Sequence, residues 1–288
     1  MLKRRLIQPL VTVFATALLG GLLGAALVRM APGAATSGEE LNFQLSAESR
    51  EFYRALHAGE QHVLSFYGYY LAALAKGDLG YSLLFQRPVR ELLKERLPVT
   101  ATGIFFGVLV GWALGFLFAL PASLRASNAY SSFSTVLSGL FLCIPSAVLA
   151  LLFLVFRLPT QIAIALIVFP NVFRYLRNLL LRTYRMPYVV TAKARGLSGM
   201  RIFLWHVLPN IAAPLIALAG ISVSIALGAA IPVEVVTDTP GIGQLAWRAA
   251  LGRDVPLLVG LTLIIALVTV TANSFSDLMA PVRTGDLR

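Results

Sequence analysis

The chain has 288 residues, 58% of them hydrophobic and 13% charged, with a mean hydropathy of +0.79 and a formal net charge of +11. A soluble domain carries nearer ~25% charged residues, so this composition excludes a soluble globular protein and points to an integral membrane protein. One cysteine, Cys143, excludes an internal disulfide, and His57, His62 and His206 offer no metal-ligand spacing.

Lys3, Arg4 and Arg5 precede an apolar run over 6–28. The run is longer than the ~7–15-residue core of a signal peptide and matches the ~20 residues that cross a bilayer. Residues 1–28 therefore read as an uncleaved first helix, N-terminus inside. Residues 29–97 are polar and read as one external soluble segment, and 98–288 as the transmembrane core. Within the external segment Gly77-Asp78 reads as a turn. Residues 90–96 read as an amphipathic helix lying at the interface, with Leu92, Leu93 and Leu97 on one face.

The second span covers about 99–120. Gly103, Gly107, Gly111 and Gly115 recur every fourth residue, a stripe that permits close helix packing in lipid. The third covers about 133–156, with Cys143-Ile144-Pro145-Ser146 inside it. A proline kink there either shapes a pathway or only packs. A tight turn at 157–161 follows. The fourth span is apolar only over 162–173 and is expected to continue to about Leu181, with Arg174 and Arg177 snorkelling to headgroups. Parity requires it, because otherwise the basic stretch 174–201 would lie outside, against the positive-inside rule.

Residues 187–209 are too polar to enter the bilayer. Pro187 suits a first helical turn, Gly196 a left-handed helix stop, and Ser198 the cap of a second helix. Arg201 stands where a capping box would place Glu. Thr191, Ala192 and Ala194 are small enough for another surface to approach the backbone. The fifth span covers about 207–231. Glu234 then leads to Pro240-Gly241-Ile242-Gly243, which reads as a short external hairpin. Arg253-Asp254-x-Pro256 opens a sixth span running to about 280. Asp277, near its inner end, is either interfacial or an intramembrane carboxylate.

Six spans place both termini inside, and the charges test that arrangement. The inner face receives Lys3, Arg4, Arg5, Arg125, Arg174, Arg177, Arg182, Arg185, Lys193, Arg195, Arg201, Arg283 and Arg288 against Asp277 and Asp286 only. It thus holds the whole net charge of +11, as the positive-inside asymmetry predicts.

The order Thr191-Ala192-Lys193-Ala194-Arg195-Gly196-Leu197, with Leu208-Pro209 downstream, resembles the cytoplasmic coupling loop of bacterial ABC-importer permeases, and Tyr188-Val189-Val190 ahead of it is closest to their dipeptide/oligopeptide/nickel branch. Val190 stands where that loop's name-giving glutamate would be. Gly77-Asp78-Leu79-Gly80-x-Ser82 with Arg87-Pro88-Val89, the Ile144-Pro145-Ser146 element, and Glu234 followed by Pro240-Gly241-x-Gly243 resemble further family signatures in the same order. The turn at 157–161 departs from the family, which has a longer external loop there. Residues 34–75 match only in position.

The resemblance implies an all-α inner-membrane protein of a bacterial cell, multi-pass, with a coupling helix between spans four and five. Tyr188, Thr191, Ala192, Lys193, Ala194, Arg195, Gly196 and Leu197 would meet the ATPase. Pro145, Ser146, Glu234, Pro240, Gly241 and Gly243 are the candidate pathway or gate residues. The implied partners are two ATP-binding subunits, a second related permease forming a heterodimer, an external solute-binding protein and membrane lipids, with no nucleic acid and no cofactor. The implied cargo is peptides or similar small solutes. No phosphate-binding G-x-x-x-x-G-K-[ST] loop occurs in the chain, so ATP hydrolysis is expected on a separate subunit.

Two other classes compete with this reading. A secondary transporter or channel subunit would want polar groups at mid-membrane to bind a coupling ion, and spans two, three, five and six hold almost none. A membrane enzyme would want an acid/base pair, and neither H-E-x-x-H, G-x-S-x-G nor paired carboxylates facing one span are present.

Overall fold

In the computed structural model of the protein, residues 79–82, 84–124, 128–252 and 254–279 are described, together with Val11, Ala15 and Leu19, which are helical. Apart from those three residues the first expected span (6–28) lies outside the described residues, as do most of the segment 29–97 and the side chain of Asp277. The described chain is helical apart from one small ladder, β1 (Tyr81–Ser82) antiparallel to β2 (Arg87–Pro88). The helices are α1 (Val89–Leu124), α2 (Asn128–Cys143), α3 (Ser146–Val155), α4 (Thr160–Thr183), α5 (Pro187–Ala194), α6 (Gly199–Ile202), α7 (Leu208–Val236), α8 (Ile242–Leu251) and α9 (Val255–Met279). A π-helical turn, Phe203–Val207, joins α6 to α7.

Among the described residues four helical stretches are long and apolar enough to cross a membrane: Val89–Ser123, Thr160–Thr183, Gly199–Val236 and Pro256–Ser274. Residues Ala129–Cys143 and Ser146–Val155 form a fifth only if counted together, since they are bent by 93° at the break between them. The third span is therefore not the single kinked helix that the sequence suggests. Pro145, at the N-cap of α3, has no N–H to continue the ladder, and Val148 and Leu149 both donate to its carbonyl instead.

The described chain divides into two compact units, one of residues 101–239 and 271–279, the other of 79–100 and 240–270. In the first, the glycine stripe of α1 is the contact with α4. A Cβ at Gly107 would lie 2.6 Å from Ile164 Cγ2, at Gly111 3.0 Å from the Ala165 carbonyl, and at Gly115 2.5 Å from Val172 Cγ1. The numbers rise together along both helices, so α1 and α4 run parallel. α2 is antiparallel to α4: Arg177 Nη2 donates to Ser131 Oγ at 2.6 Å, and the Phe141 ring meets Phe169 edge-on. Val207 of the π turn and Ile211 and Leu215 in the first turns of α7 pack in the cluster that holds Phe173, Leu176 and Leu180 of α4, again antiparallel. Polar pairs join further helices here. Trp112 Nε1 donates to Ser222 Oγ (3.0 Å), and Ser224 Oγ donates to Asn273 Oδ1 (3.1 Å). In lipid such bonds help fix helix register where apolar burial cannot.

The second unit has its own core of Val89, Leu92, Leu93, Ile242, Leu245, Ala249, Leu257 and Leu261. This corrects the reading of residues 90–96 as a separate interfacial helix. They are the first turns of α1, Leu92 and Leu93 are buried, and Leu97 is exposed away from them. Pro98 lies between these turns and the apolar run and has no N–H to donate, yet the helix runs unbroken through it from Val89 to Leu124. Arg87 bridges Glu91 (3.4 Å) and Glu95 (2.5 Å) on the exposed side.

Candidate functional site

The stretch after α4 is built by local chemistry. Pro187 occupies the first turn of α5, where its missing N–H leaves nothing unsatisfied. The helix ends in a two-bond turn: Leu197 N donates to Ala192 O (3.3 Å) and Gly196 N to Lys193 O (3.0 Å). That pattern demands a left-handed residue, and Gly196 has φ 76. Ser198 takes the N-cap position of α6 with extended backbone, but its hydroxyl makes no capping bond. Pro209 cannot donate to the helix being formed, and the turn before it widens into the π-helix, in which Leu208 N reaches back to Phe203 O. Asn210 Nδ2 satisfies the His206 carbonyl at 2.7 Å.

α5 rests on Val189 and Ala192, both buried in the cluster with Leu180, Tyr184, Ile202, Val207 and Ile211. Ala192 is thus turned into its own chain, and of the three small residues Thr191 and Ala194 face outward. Lys193 is exposed but engaged, its Nζ 5.3 Å from the centroid of the Tyr184 ring. Thr191 Oγ1 donates to the Pro187 carbonyl at 3.0 Å. Burial pushes the Tyr184 phenol above its usual range, and its hydroxyl has no partner among the described residues. The residues of α5 and its turn that face outward are Tyr188, Val190, Thr191, Lys193, Ala194, Arg195 and Gly196, with Leu197 half-buried.

The sequence reading missed the apolar share of this surface. Met186, Tyr188, Val190, Met200, Leu204 and Trp205 are all exposed, Trp205 at 74% and Met200 at 69%. The signal was present as large apolar residues scattered through a basic loop. Only the fold shows that they are not used internally. The electrostatics are one-sided. No acidic residue occurs between Glu95 and Glu234, and none of Arg182, Arg185, Lys193, Arg195 and Arg201 makes an ion pair among the described residues. Arg182, Arg185, Lys193, Arg195 and Arg201 therefore leave an uncompensated positive field beside the apolar patch. That combination suits a partner surface with an apolar groove and acidic margins.

The remaining candidates fall in two places. Pro145 and Ser146 form the break between α2 and α3, and Glu234, buried, lies in the last turn of α7; all three belong to the first unit. Thr239 N donates to the Glu234 carbonyl at 2.9 Å, with Asp238 at φ 51 in the turn. Pro240, Gly241 and Gly243 belong to the second unit. Gly241 is the N-cap of α8 and has no side chain to cap with, so Thr100 Oγ1 accepts the Ile242 N–H across the fold at 2.8 Å.

A polar centre that the sequence did not reveal lies in the same unit. Asp254 is fully buried at the N-cap of α9. Its Oδ1 accepts from Leu257 N (3.2 Å), and its Oδ2 accepts from Leu84 N (3.0 Å) and Ser82 Oγ (2.5 Å). The motif around Ser82 and the one around Asp254 thus meet although they lie at opposite ends of the described chain. Among the described residues no three His, Cys, Asp or Glu side chains gather to hold a metal.

Comparison with known proteins is consistent with this arrangement. Residues 107–282 match the family described as binding-protein-dependent transport system inner membrane component. The chain is 26% identical over 264 residues to the oligopeptide transport system permease protein OppB of Escherichia coli (strain K12), covering 83% of this chain and 84% of that one. It is 28% identical over 238 residues to a Brucella ovis protein provisionally named a peptide permease, covering 73% of this chain and 75% of the relative.

Proposed function

The chain belongs to the family of binding-protein-dependent transport system inner membrane components, and from that premise we propose what it carries and how it is driven. It is a permease subunit, the membrane component and not the ATPase, and family membership sets aside a transporter that works without an ATPase. The proposed cargo is peptides or similar small solutes, the class named for its relatives. The proposed assembly pairs this chain with a second, related permease, two ATP-binding subunits and an external binding protein.

Six segments enter the membrane in the proposed topology, both termini lie inside, and residues 187–209 face the cytoplasm. The charge asymmetry supports this sidedness, and the parallel course of α1 and α4 is what it requires of the second and fourth segments.

The observation that carries the docking role is the outward face of α5. It presents Tyr188, Val190, Thr191, Ala194 and Arg195 while Val189 and Ala192 bind the helix to the ends of α4 and α7. A short helix seated in an ATPase groove would pass the closure of two ATPases through Ala192 and Val189 into those helices. Lys193 acts within the chain by this account, clamping α5 on Tyr184. The test is Ala194→Trp. Ala194 is exposed, so the indole meets no packing of its own chain. Membrane insertion should persist while uptake and co-purification of the ATP-binding subunit are lost. Wild-type uptake with the ATPase still attached would sink the docking role. Uptake of a labelled oligopeptide, abolished by deleting this subunit and competed by unlabelled peptide, checks the cargo.

A further inference from the structure

Arg177 is a half-buried cation on α4 whose contact within the chain is a single hydroxyl. Its Nη2 donates to Ser131 Oγ of α2 at 2.6 Å. Nε is buried and has no partner among the described residues. Nη1 has none there either, but it reaches the surface. One edge of the guanidinium is therefore held against α2 and its end is presented outward.

No described carboxylate neutralises this charge. Arg177 makes no ion pair among the described residues, and the sequence holds no acid between Glu95 and Glu234. Glu234 and Asp238 lie beyond reach. Leu176 and Leu180, which flank Arg177, pack with Ile211 and Leu215 at the start of α7, and from Leu215 to Glu234 the helix rises roughly 30 Å. The backbone adds charge of the same sign, because Ser131 belongs to the opening turn of α2, the positive end of that helix's dipole. The negative end of α4 is felt within its last turn, which holds Arg182 and not Arg177. Arg174, exposed one turn earlier on the same side of α4, is a second cation. A guanidinium partly withdrawn from water in a membrane protein calls for an anion, and here the anion must come from outside the described chain.

The geometry narrows its chemistry. The outward end of a planar guanidinium matches a pair of oxygens on one anion, the arrangement that favours arginine in phosphate recognition. Ser131 Oγ accepts from Nη2 and keeps its own proton to donate to the same anion. The seam is also open along α2. Thr135 and Leu142, at helical spacing from Ser131 and so on its side of the helix, are exposed, Leu142 at 41%. A charged head at Arg177 with an apolar chain along α2 fits such a seam, as headgroups fit basic pockets between membrane helices.

We propose that the seam between the start of α2 and the basic half of α4 binds the phosphate of an anionic phospholipid headgroup. Arg177 holds the phosphate through its outward end, Ser131 orients the guanidinium and donates to the same group, and Arg174 adds charge at the rim. The bound lipid fastens α2 to α4. The site depends on neither the proposed cargo nor the docking role of α5.

The test uses the assembled transporter, purified in detergent and stripped of loosely held lipid. It is titrated with phosphatidylglycerol, with phosphatidylcholine or with inorganic phosphate. Bound lipid is counted by native mass spectrometry, and the unfolding midpoint is followed in parallel. Phosphatidylglycerol should bind more tightly and raise the midpoint further than phosphatidylcholine, whose own cation already neutralises its phosphate. Arg177→Gln should weaken phosphatidylglycerol binding roughly tenfold or more, and Ser131→Ala roughly threefold. Arg185→Gln, which removes a cation beyond the end of α4, should change it by less than about twofold. Should Arg177→Gln fail to assemble, Ser131→Ala decides, since it leaves the charge in place; unchanged binding in that variant would overturn the site. Equal binding of the two lipids would overturn the anionic headgroup. Equal losses in Arg177→Gln and Arg185→Gln would show a diffuse surface charge and overturn the seam. The same midpoint rise with inorganic phosphate alone would overturn lipid as the source of the anion. Release of the ATP-binding subunit by Arg177→Gln, with phosphatidylglycerol binding intact, would assign the arginine to an acidic protein surface and overturn the proposal.

Discussion

Alanine at Gly107 and at Gly103 should change stability in opposite directions, although both positions lie on the same stripe of α1. At Gly103 a Cβ would meet only the tip of Ile164, at 3.7 Å, which is ordinary contact. Gly103→Ala should therefore show only the helix-propensity gain, up to ~1 kcal/mol. At Gly107 the same methyl would lie 2.6 Å from Ile164 Cγ2, 2.8 Å from Ile164 Cβ and 3.3 Å from the Gln161 carbonyl. A rotamer change cannot move Cβ or the carbonyl, so α4 itself must shift. Overpacking of this kind costs about 1–3 kcal/mol, and with α4 backbone involved the upper end applies. Subtracting the propensity gain leaves a net loss of about 2 kcal/mol. For a chain of this size ~1 kcal/mol corresponds to about 2–4 °C. Thermal unfolding of the purified protein in detergent should thus fall by about 4–8 °C for Gly107→Ala and stay level or rise slightly for Gly103→Ala. Ile164→Ala should recover most of the loss in the Gly107→Ala background while being destabilising alone, a coupling that a double-mutant cycle isolates. Equal melting temperatures for the two alanine variants would refute the parallel α1–α4 contact.

Three further outcomes are expected. At Gly196 the added Cβ meets open space, so only the left-handed backbone resists substitution, at about 1–2 kcal/mol; Gly196→Asn should retain uptake, Gly196→Ala should lose part of it and Gly196→Trp nearly all, with the ATPase dissociating in the last case, and uptake that ignores this order would remove the turn from the coupling account. Asp254→Ala should lower stability more than Ser82→Ala, because it strips the α9 cap and leaves Leu84 N–H and Ser82 Oγ–H without their acceptor, at ~1–3 kcal/mol each; melting curves in which Ser82→Ala is the worse of the two would contradict that geometry. Tyr184→Phe should be neutral or slightly stabilising at pH 7, since it deletes a buried hydroxyl that has no partner. Burial raises the native phenol above its unfolded value of about 10, so the wild-type hydroxyl is penalised only as pH climbs past that value, and Tyr184→Phe should blunt alkaline unfolding; identical alkaline melting curves would show that the phenol stays protonated or solvated throughout.

What the sequence determined by itself was whatever depends on near neighbours. Pro187 and Gly196 mark the two ends of α5 because a missing N–H and a free φ act within a single turn. The glycine stripe announced a close helix contact because four-residue spacing alone puts small residues on one face. The one-sided placement of arginines set the proposed sidedness because each acts separately on its own loop.

What only the tertiary structure decided depends on which surface each residue meets. Ala192 and Ala194 are identical in chemistry and two residues apart, yet one is buried under α5 and the other faces outward. Pro145 is compatible with a mild kink or a right-angle break, and the apolar packing of α3 against α4 and α7 selects the break. Leu92 and Leu93 read as interfacial until α8 arrives from more than a hundred residues away to cover them. Asp254 needed Ser82 and Leu84 before it could be seen as anything but a helix cap. At the proposed docking surface, Pro187 and Gly196 define the helix in one dimension. The exposure of Tyr188, Val190, Met200 and Trp205 follows only when Val189 and Ala192 have used the other side, because burial is a property of the whole packed chain.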